Sequence, residues 1–191
     1  MNTHTPASSP WDSFYNVPPE FILTPSHECA AEFLEDCYTI QDWGCGVKHF
    51  GGYLKDCFPH KFSYLGIDGS FSSGTDIVAD LTTFKTAPPE GIFMRHVLEH
   101  NYEWKKILSN ALGSFSKKFC LAIFTPFHNE ETETQTLAIN NEFGNVPDLS
   151  FKRGLIEKYI VSHKLEYIFS EHSSPNTQYG IEYVYKIWRS K

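Results

Sequence analysis

Apolar residues along the chain follow two spacings that take turns. Short β-rich runs at 39–42, 63–67, 76–79, 91–95, 118–125, 165–170 and 179–188 read as strands, several ending on an acidic residue or a turn. Between them apolar positions recur at helical intervals. Ala30, Phe33, Leu34 and Cys37 share one face of a helix from Glu28 to Cys37, with Ser26 near its cap. A helix over 48–57 is ended by Pro59. Trp104, Ile107, Leu108, Ala111 and Leu112 mark a helix over 102–113, and another is predicted over 151–163. Strands alternating with helices and closing on a strand pair predict the α/β class. The expected architecture is a doubly wound, mostly parallel seven-stranded sheet with an antiparallel edge strand.

Two stretches fall outside this rhythm. Residues 1–19 carry Pro6, Pro10, Pro18 and Pro19 among small polar residues and read as an irregular arm. Residues 128–149, with Glu130, Glu131, Glu133 and several threonines, read as too polar for the core and too long for a routine connection. They are expected to form an insertion that acts as a mobile substrate-side flap. The remainder, 20–191, is expected to be one domain.

Candidate chemistry gathers where the first three strands end. Asp42-Trp43-Gly44-Cys45-Gly46 follows the first, Asp68 ends the second and Asp80 ends the third. Glycine lets the backbone bend and approach a ligand without a Cβ in the way. A helix starting near Phe50 would aim free N–H groups at an anion. In open parallel sheets ligands sit at the carboxyl ends of the strands. One anion-binding loop and two carboxylates suit a nucleoside-like cofactor. A dinucleotide fingerprint would need glycine at His49, and the Lys-Ser/Thr pair of a phosphate loop is missing.

These residues resemble the acidic-x-Gly-x-Gly motif of the class I S-adenosylmethionine-dependent methyltransferases. Lys48 departs from it, since many members carry another glycine there. Val97-Leu98-Glu99-His100 is similar to a segment after the fourth strand of many small-molecule members, and Phe119 to Pro126 to their fifth strand. Tyr179 to Lys186 is similar to their last strand. The resemblance implies a Rossmann-like methyltransferase fold and S-adenosyl-L-methionine as cofactor. It implies that the backbone of Gly44, Cys45 and Gly46 cradles the methionine part beside Asp42. Asp68 would take the ribose hydroxyls, and Asp80 with Leu81 would border the adenine.

Methyl transfer to oxygen calls for a base near neutral pH, and histidine is the ready candidate. His100 is the first choice and His128 the reserve, both just after predicted strand ends. Glu99 is expected to brace the helix that follows. His96, Glu99 and His100 also fit H-x-x-E-H, and ubiquinone-pathway O-methyltransferases bind a divalent cation with a similar segment. His96 replaces the first glutamate of that set, and no metal is assigned.

The 191 residues, 41% hydrophobic and 20% charged, have an ordinary globular balance. A formal net charge of −7 disfavours a nucleic acid partner and favours a small-molecule or glycan-like acceptor. Five cysteines, an odd number without C-x-x-C spacing, argue against a disulfide framework. No signal pattern or membrane span is read, so the expected location is cytoplasmic. The competing readings are a catalytically silent cofactor-binding scaffold or interaction protein and a nucleotide-binding oxidoreductase, the latter disfavoured by His49.

Overall fold

A computed structural model describes residue 11 and residues 22–72, 74–140 and 145–190. The arm expected over 1–19 lies, but for Trp11, outside the described residues. The chain opens on helix α1 (Pro25–Phe33), then β1 (Thr39–Trp43), α2 (His49–Cys57), β2 (Ser63–Asp68), β3 (Ile77–Val78) and β4 (Gly91–Arg95). A 3₁₀ turn at Leu98–His100 leads to α3 (Trp104–Ser114) and β5 (Lys118–Ile123). β6 (Thr134–Asn140), β7 (Val146–Phe151), α4 (Leu155–Ser162), β8 (Leu165–Ser173) and β9 (Ile181–Arg189) follow.

The main sheet has seven strands in the order β3-β2-β1-β4-β5-β9-β8. Strands β1 to β5 pair in parallel, whereas β9 runs antiparallel to both β5 and β8 and closes that edge as a hairpin. Alternation along each strand builds one core on each face. Ile92 and Met94 pack with Trp104, Ile107, Leu108 and Ala111 of α3 and with Ile156 and Ile160 of α4. The intervening Phe93 packs with Ala30 and Ala31 of α1, with Leu34 just after that helix, and with Phe50 and Leu54 of α2. On β5 the first face takes Phe119, Leu121 and Ile123, and the second only Cys120 and Ala122. This is the doubly wound, mostly parallel sheet that the periodicity predicts.

Local chemistry moves several boundaries. α1 starts at Pro25 because Thr24 is its N-cap: the Thr24 N–H donates to Nδ1 of His27 at 3.3 Å, and Thr24 Oγ1 lies 3.0 Å from the same nitrogen. The last helix begins at Leu155 rather than 151, because Gly154 turns through φ +79° ahead of it. The third strand shrinks to Ile77–Val78.

The segment 128–149 departs most from expectation. Residues 134–140 and 146–151 pair as an antiparallel hairpin, the second sheet. Residues 129–133 are exposed, as their polarity predicts, but Val146–Phe151 is buried throughout. Thr125 Oγ1 donates to the Leu149 carbonyl at 2.7 Å and Ser150 Oγ to the Pro126 carbonyl at 2.6 Å, pinning β7 to the chain leaving β5. Cys29, Cys37, Cys45, Cys57 and Cys120 all carry free thiols. Among the described residues no helix is long and apolar enough to cross a membrane.

Candidate functional site

A cavity of about 730 Å³ opens at the carboxyl ends of β1, β2 and β4, and ligand sites typically span ~300–1,000 Å³. Asp42, Gly44, Cys45, Gly46, Asp68, Asp80, Leu81 and His100 all line it. Strand order explains the meeting, since β1 lies between β2 and β4 and their connections leave toward opposite faces.

The glycine loop is held by the neighbouring strand: the Gly44 and Cys45 N–H groups donate to the Ile67 carbonyl at 2.7 and 3.1 Å. Gly44 has φ +84°, and a Cβ there would collide with Cγ2 of Val97. Only glycine meets both conditions without strain. Lys48 keeps a left-handed backbone, φ +67°, where the resembling proteins favour glycine. Its ammonium is clamped by the Asp76 carboxylate at 2.7 and 2.6 Å.

The three carboxylates differ in surroundings. Asp68 is buried; Oδ2 accepts the Gly46 N–H at 2.8 Å and Oδ1 the Ser70 N–H at 2.9 Å. Burial raises its pKa against those two donors, and lone pairs on both oxygens are left for a ligand's hydroxyls. Asp42 is buried at the end of β1, and burial pushes its pKa up to about 7 against the hydroxyl of Tyr64, which donates at 2.5 Å. Asp80 is exposed, and its Oδ1 accepts the Thr82 N–H at 2.8 Å, fixing the turn that presents buried Leu81.

His100 meets a partner that the sequence did not single out. Its Nδ1 lies 3.0 Å from the Pro147 carbonyl and 3.3 Å from Asp148 Oδ1. Asp148 Oδ2 accepts the hydroxyl of Tyr179 at 2.9 Å. Burial alone would lower the pKa of His100, but Asp148, Glu99 and the Pro147 carbonyl outweigh it and the net shift is upward. With Nδ1 occupied as a donor, Nε2 is the nitrogen left to act as a base. Trp11 stacks edge-on against this ring, centroids 5.1 Å apart, and also lines the cavity. The signal for Asp148 was present: Leu149 and Phe151 alternate with Asp148 and Ser150, the period of a half-buried strand.

The other candidates diverge. His128 is outside the residues that line the cavity; its backbone bridges Lys152 alongside β7, and both ring nitrogens are enclosed without a partner among the described residues. Glu99 braces a strand end rather than the following helix: its Oε1 accepts the Phe124 N–H at 2.7 Å, and burial raises its pKa to about 7. His96, at φ +54°, directs Nε2 to Glu182 Oε1 at 3.0 Å. Burial and then Arg95 lower its pKa to about 3, so it is neutral and donates from Nε2. The H-x-x-E-H spacing therefore sends its three side chains to Glu182, Phe124 and Asp148 in turn. Arg95 also lines the cavity and joins Glu182, with Nη2 2.9 Å from Oε1.

No protein-family model and no curated protein matches the chain. Solved structures do. 1,6-Didemethyltoxoflavin-N1-methyltransferase from Burkholderia thailandensis, holding 1,6-didemethyltoxoflavin and S-adenosylhomocysteine, matches with a TM-score of 0.64 at 11% identity, over 87% of this chain and 77% of that one. Magnesium protoporphyrin IX methyltransferase from Synechocystis with S-adenosylhomocysteine matches at 0.64 and 14% identity, over 95% and 93%. The N-terminal domain of EvdMO1, crystallised with S-adenosylhomocysteine and D-fucose, matches at 0.64 and 13%, over 90% and 85%. At these identities the likeness is one of fold, and the fold is the Rossmann-like one of class I methyltransferases.

Proposed function

We propose that this chain is an S-adenosylmethionine-dependent methyltransferase that transfers a methyl group to an oxygen of a small-molecule or sugar-like acceptor. The observation that carries the reading is one cavity bordered by the Gly44–Gly46 loop, Asp68, Asp80 with Leu81, and a histidine paired with a carboxylate. Similar folds crystallised with S-adenosylhomocysteine support the cofactor, and the crystallisation of EvdMO1 in the presence of D-fucose supports a hydroxyl-bearing acceptor.

When bound, the cofactor supplies a sulfonium methyl that is already activated, so the protein's task is placement above all. The Gly44–Gly46 backbone leaves room for the methionine part beside Asp42. Asp68 accepts the ribose hydroxyls with the lone pairs that Gly46 and Ser70 leave free. Leu81 offers the adenine an apolar surface next to Asp80. His100 takes the acceptor's proton on Nε2, while Asp148 and the Pro147 carbonyl hold Nδ1–H and fix the tautomer. Asp148 also stabilises the imidazolium that results.

Thermal shift with S-adenosylhomocysteine against NAD tests the cofactor, since only a ligand that binds the folded state stabilises it. Stabilisation by NAD alone would overturn the reading. His100→Ala should then lower turnover about 10²- to 10⁴-fold with cofactor affinity nearly intact.

A further inference from the structure

We propose that the end of the cavity beside His100 is an acceptor subsite for a neutral, saturated, hydroxyl-bearing ring of the pyranose kind. Trp11 is its stacking platform, and the amides of Asn101 and Asn176 read its hydroxyls. The inference rests on the methyltransferase reading above and narrows its acceptor to one chemical class.

Separate parts of the chain meet there. Trp11 meets the His100 ring edge-on, centroids 5.1 Å apart. Asn101 follows the 3₁₀ turn that carries His100. Val146 opens β7, whose Pro147 and Asp148 hold that histidine. Asn176 comes from the turn between β8 and β9, and the Tyr179 hydroxyl fastens that turn to Asp148 at 2.9 Å. Trp11, His100, Asn101, Val146 and Asn176 all line the cavity.

The chemistry of these groups selects a class. C–H bonds along one face of a saturated ring are weakly positive and suit the negative face of an indole. Asn101 donates Nδ2–H to the Val97 carbonyl at 2.5 Å, which fixes the amide and leaves Oδ1 to accept from a hydroxyl. The exposed Asn176 side chain makes no hydrogen bond among the described residues, so it offers both a donor and an acceptor, the pair that a hydroxyl matches. Charge is matched elsewhere. Among the described residues that line the cavity there is no lysine or glutamate, and Arg95, the one arginine, is bound to Glu182. An ionic acceptor would therefore enter without a counter-ion. A flat phenol would leave most of the amide groups unpaired, and a site built to bond hydroxyls discriminates against a ring that lacks them.

The test is saturation-transfer NMR on the full chain with S-adenosylhomocysteine present. The probes are the methyl glycosides of glucose, galactose and mannose, with methyl galacturonoside as the charged comparator and catechol as the flat one. At least one neutral glycoside should receive saturation on the protons of one ring face and bind about 10-fold tighter than either comparator. Trp11→Ala should weaken that binding about 10-fold, and Trp11→Phe should recover most of it. Asn176→Ala, at an exposed turn, should narrow the margin over catechol, and it decides if Trp11→Ala does not fold. Thermal stabilisation by S-adenosylhomocysteine shows which variants are folded. Preference for catechol or the uronide, or binding of no neutral glycoside, overturns the proposal. So does undiminished binding in folded Trp11→Ala or an unchanged margin in Asn176→Ala. In each of these cases stabilisation by S-adenosylhomocysteine leaves the methyltransferase reading standing. Wild type that S-adenosylhomocysteine does not stabilise overturns both.

Discussion

Asp68→Ala separates what the second strand's carboxylate does for the protein from what it does for a ligand. In the free protein Asp68 holds two backbone donors, Gly46 N–H at 2.8 Å and Ser70 N–H at 2.9 Å, one on each oxygen. Hydrogen bonds to a charged group contribute about 1.5–3 kcal/mol each when nothing replaces them. Both donors border an open cavity, so water can take over much of that role, and about 2 kcal/mol in total is expected. For a chain of this length that lowers the melting temperature by roughly 4–8 °C. A bound ribose would lose a further charge-assisted contact, about 1.5–3 kcal/mol or roughly 10- to 150-fold in affinity. Scanning calorimetry without ligand reads the first effect, and titration with S-adenosylhomocysteine the second. Asp68→Asn should fall between, because its single carbonyl oxygen can satisfy only one of the two N–H groups. A folded Asp68→Ala protein with undiminished affinity would refute the ribose assignment. An unmoved melting temperature would refute the bracing of the glycine loop.

Gly44→Val should be worse than any carboxylate change, since φ +84° and the clash with Val97 add about 1–2 kcal/mol of backbone strain to about 1–3 of overpacking; chemical denaturation that finds it as stable as wild type would contradict the loop geometry. Asp148→Asn keeps the Pro147 carbonyl as a partner for His100, so the tautomer should survive; the acid limb of the pH–rate profile should move to lower pH as the charge that raised His100 disappears. Because the pKa of His100 is raised on folding and that of Asp148 lowered, their pairing contributes fully to stability between about pH 3.9 and 6.5. Stability should fall as pH rises through the folded pKa of His100, while turnover rises over the same interval as the base becomes neutral; denaturation and rate profiles that move together would break the assignment. In hydrogen exchange, amides of the buried strand Val146–Phe151 should be slow and those of exposed 129–133 fast, with or without ligand; rapid exchange across both would restore a wholly mobile flap.

Local patterning along the chain is enough to find the seven strands of the main sheet, the helices to within a few residues of their ends, and the glycine loop. Periodicity two against three to four is a property of neighbouring residues, and Gly44, Asp68 and Asp80 announce themselves because each ends an apolar run. Because ligand sites in such sheets lie at strand ends, the meeting of Asp42, Gly44, Asp68 and Asp80 around one cavity followed from the same pattern. Both strands of the hairpin were missed, because Glu130, Glu131, Glu133 and the threonines around them make the whole segment read as an exposed insertion, and Gly154, which delays the next helix, is a single residue. Which polar groups face one another is set by the folded chain as a whole. His96, Glu99 and His100 are close in sequence, yet a left-handed residue and a 3₁₀ turn send them to Glu182, Phe124 and Asp148. His100 and Asp148, 48 residues apart, or Arg95 and Glu182, 87 apart, meet only once β7 docks and β9 inserts beside β5. A polar residue's role depends on the donor or charge it meets after burial, and burial is a property of the whole fold rather than of any window along the chain.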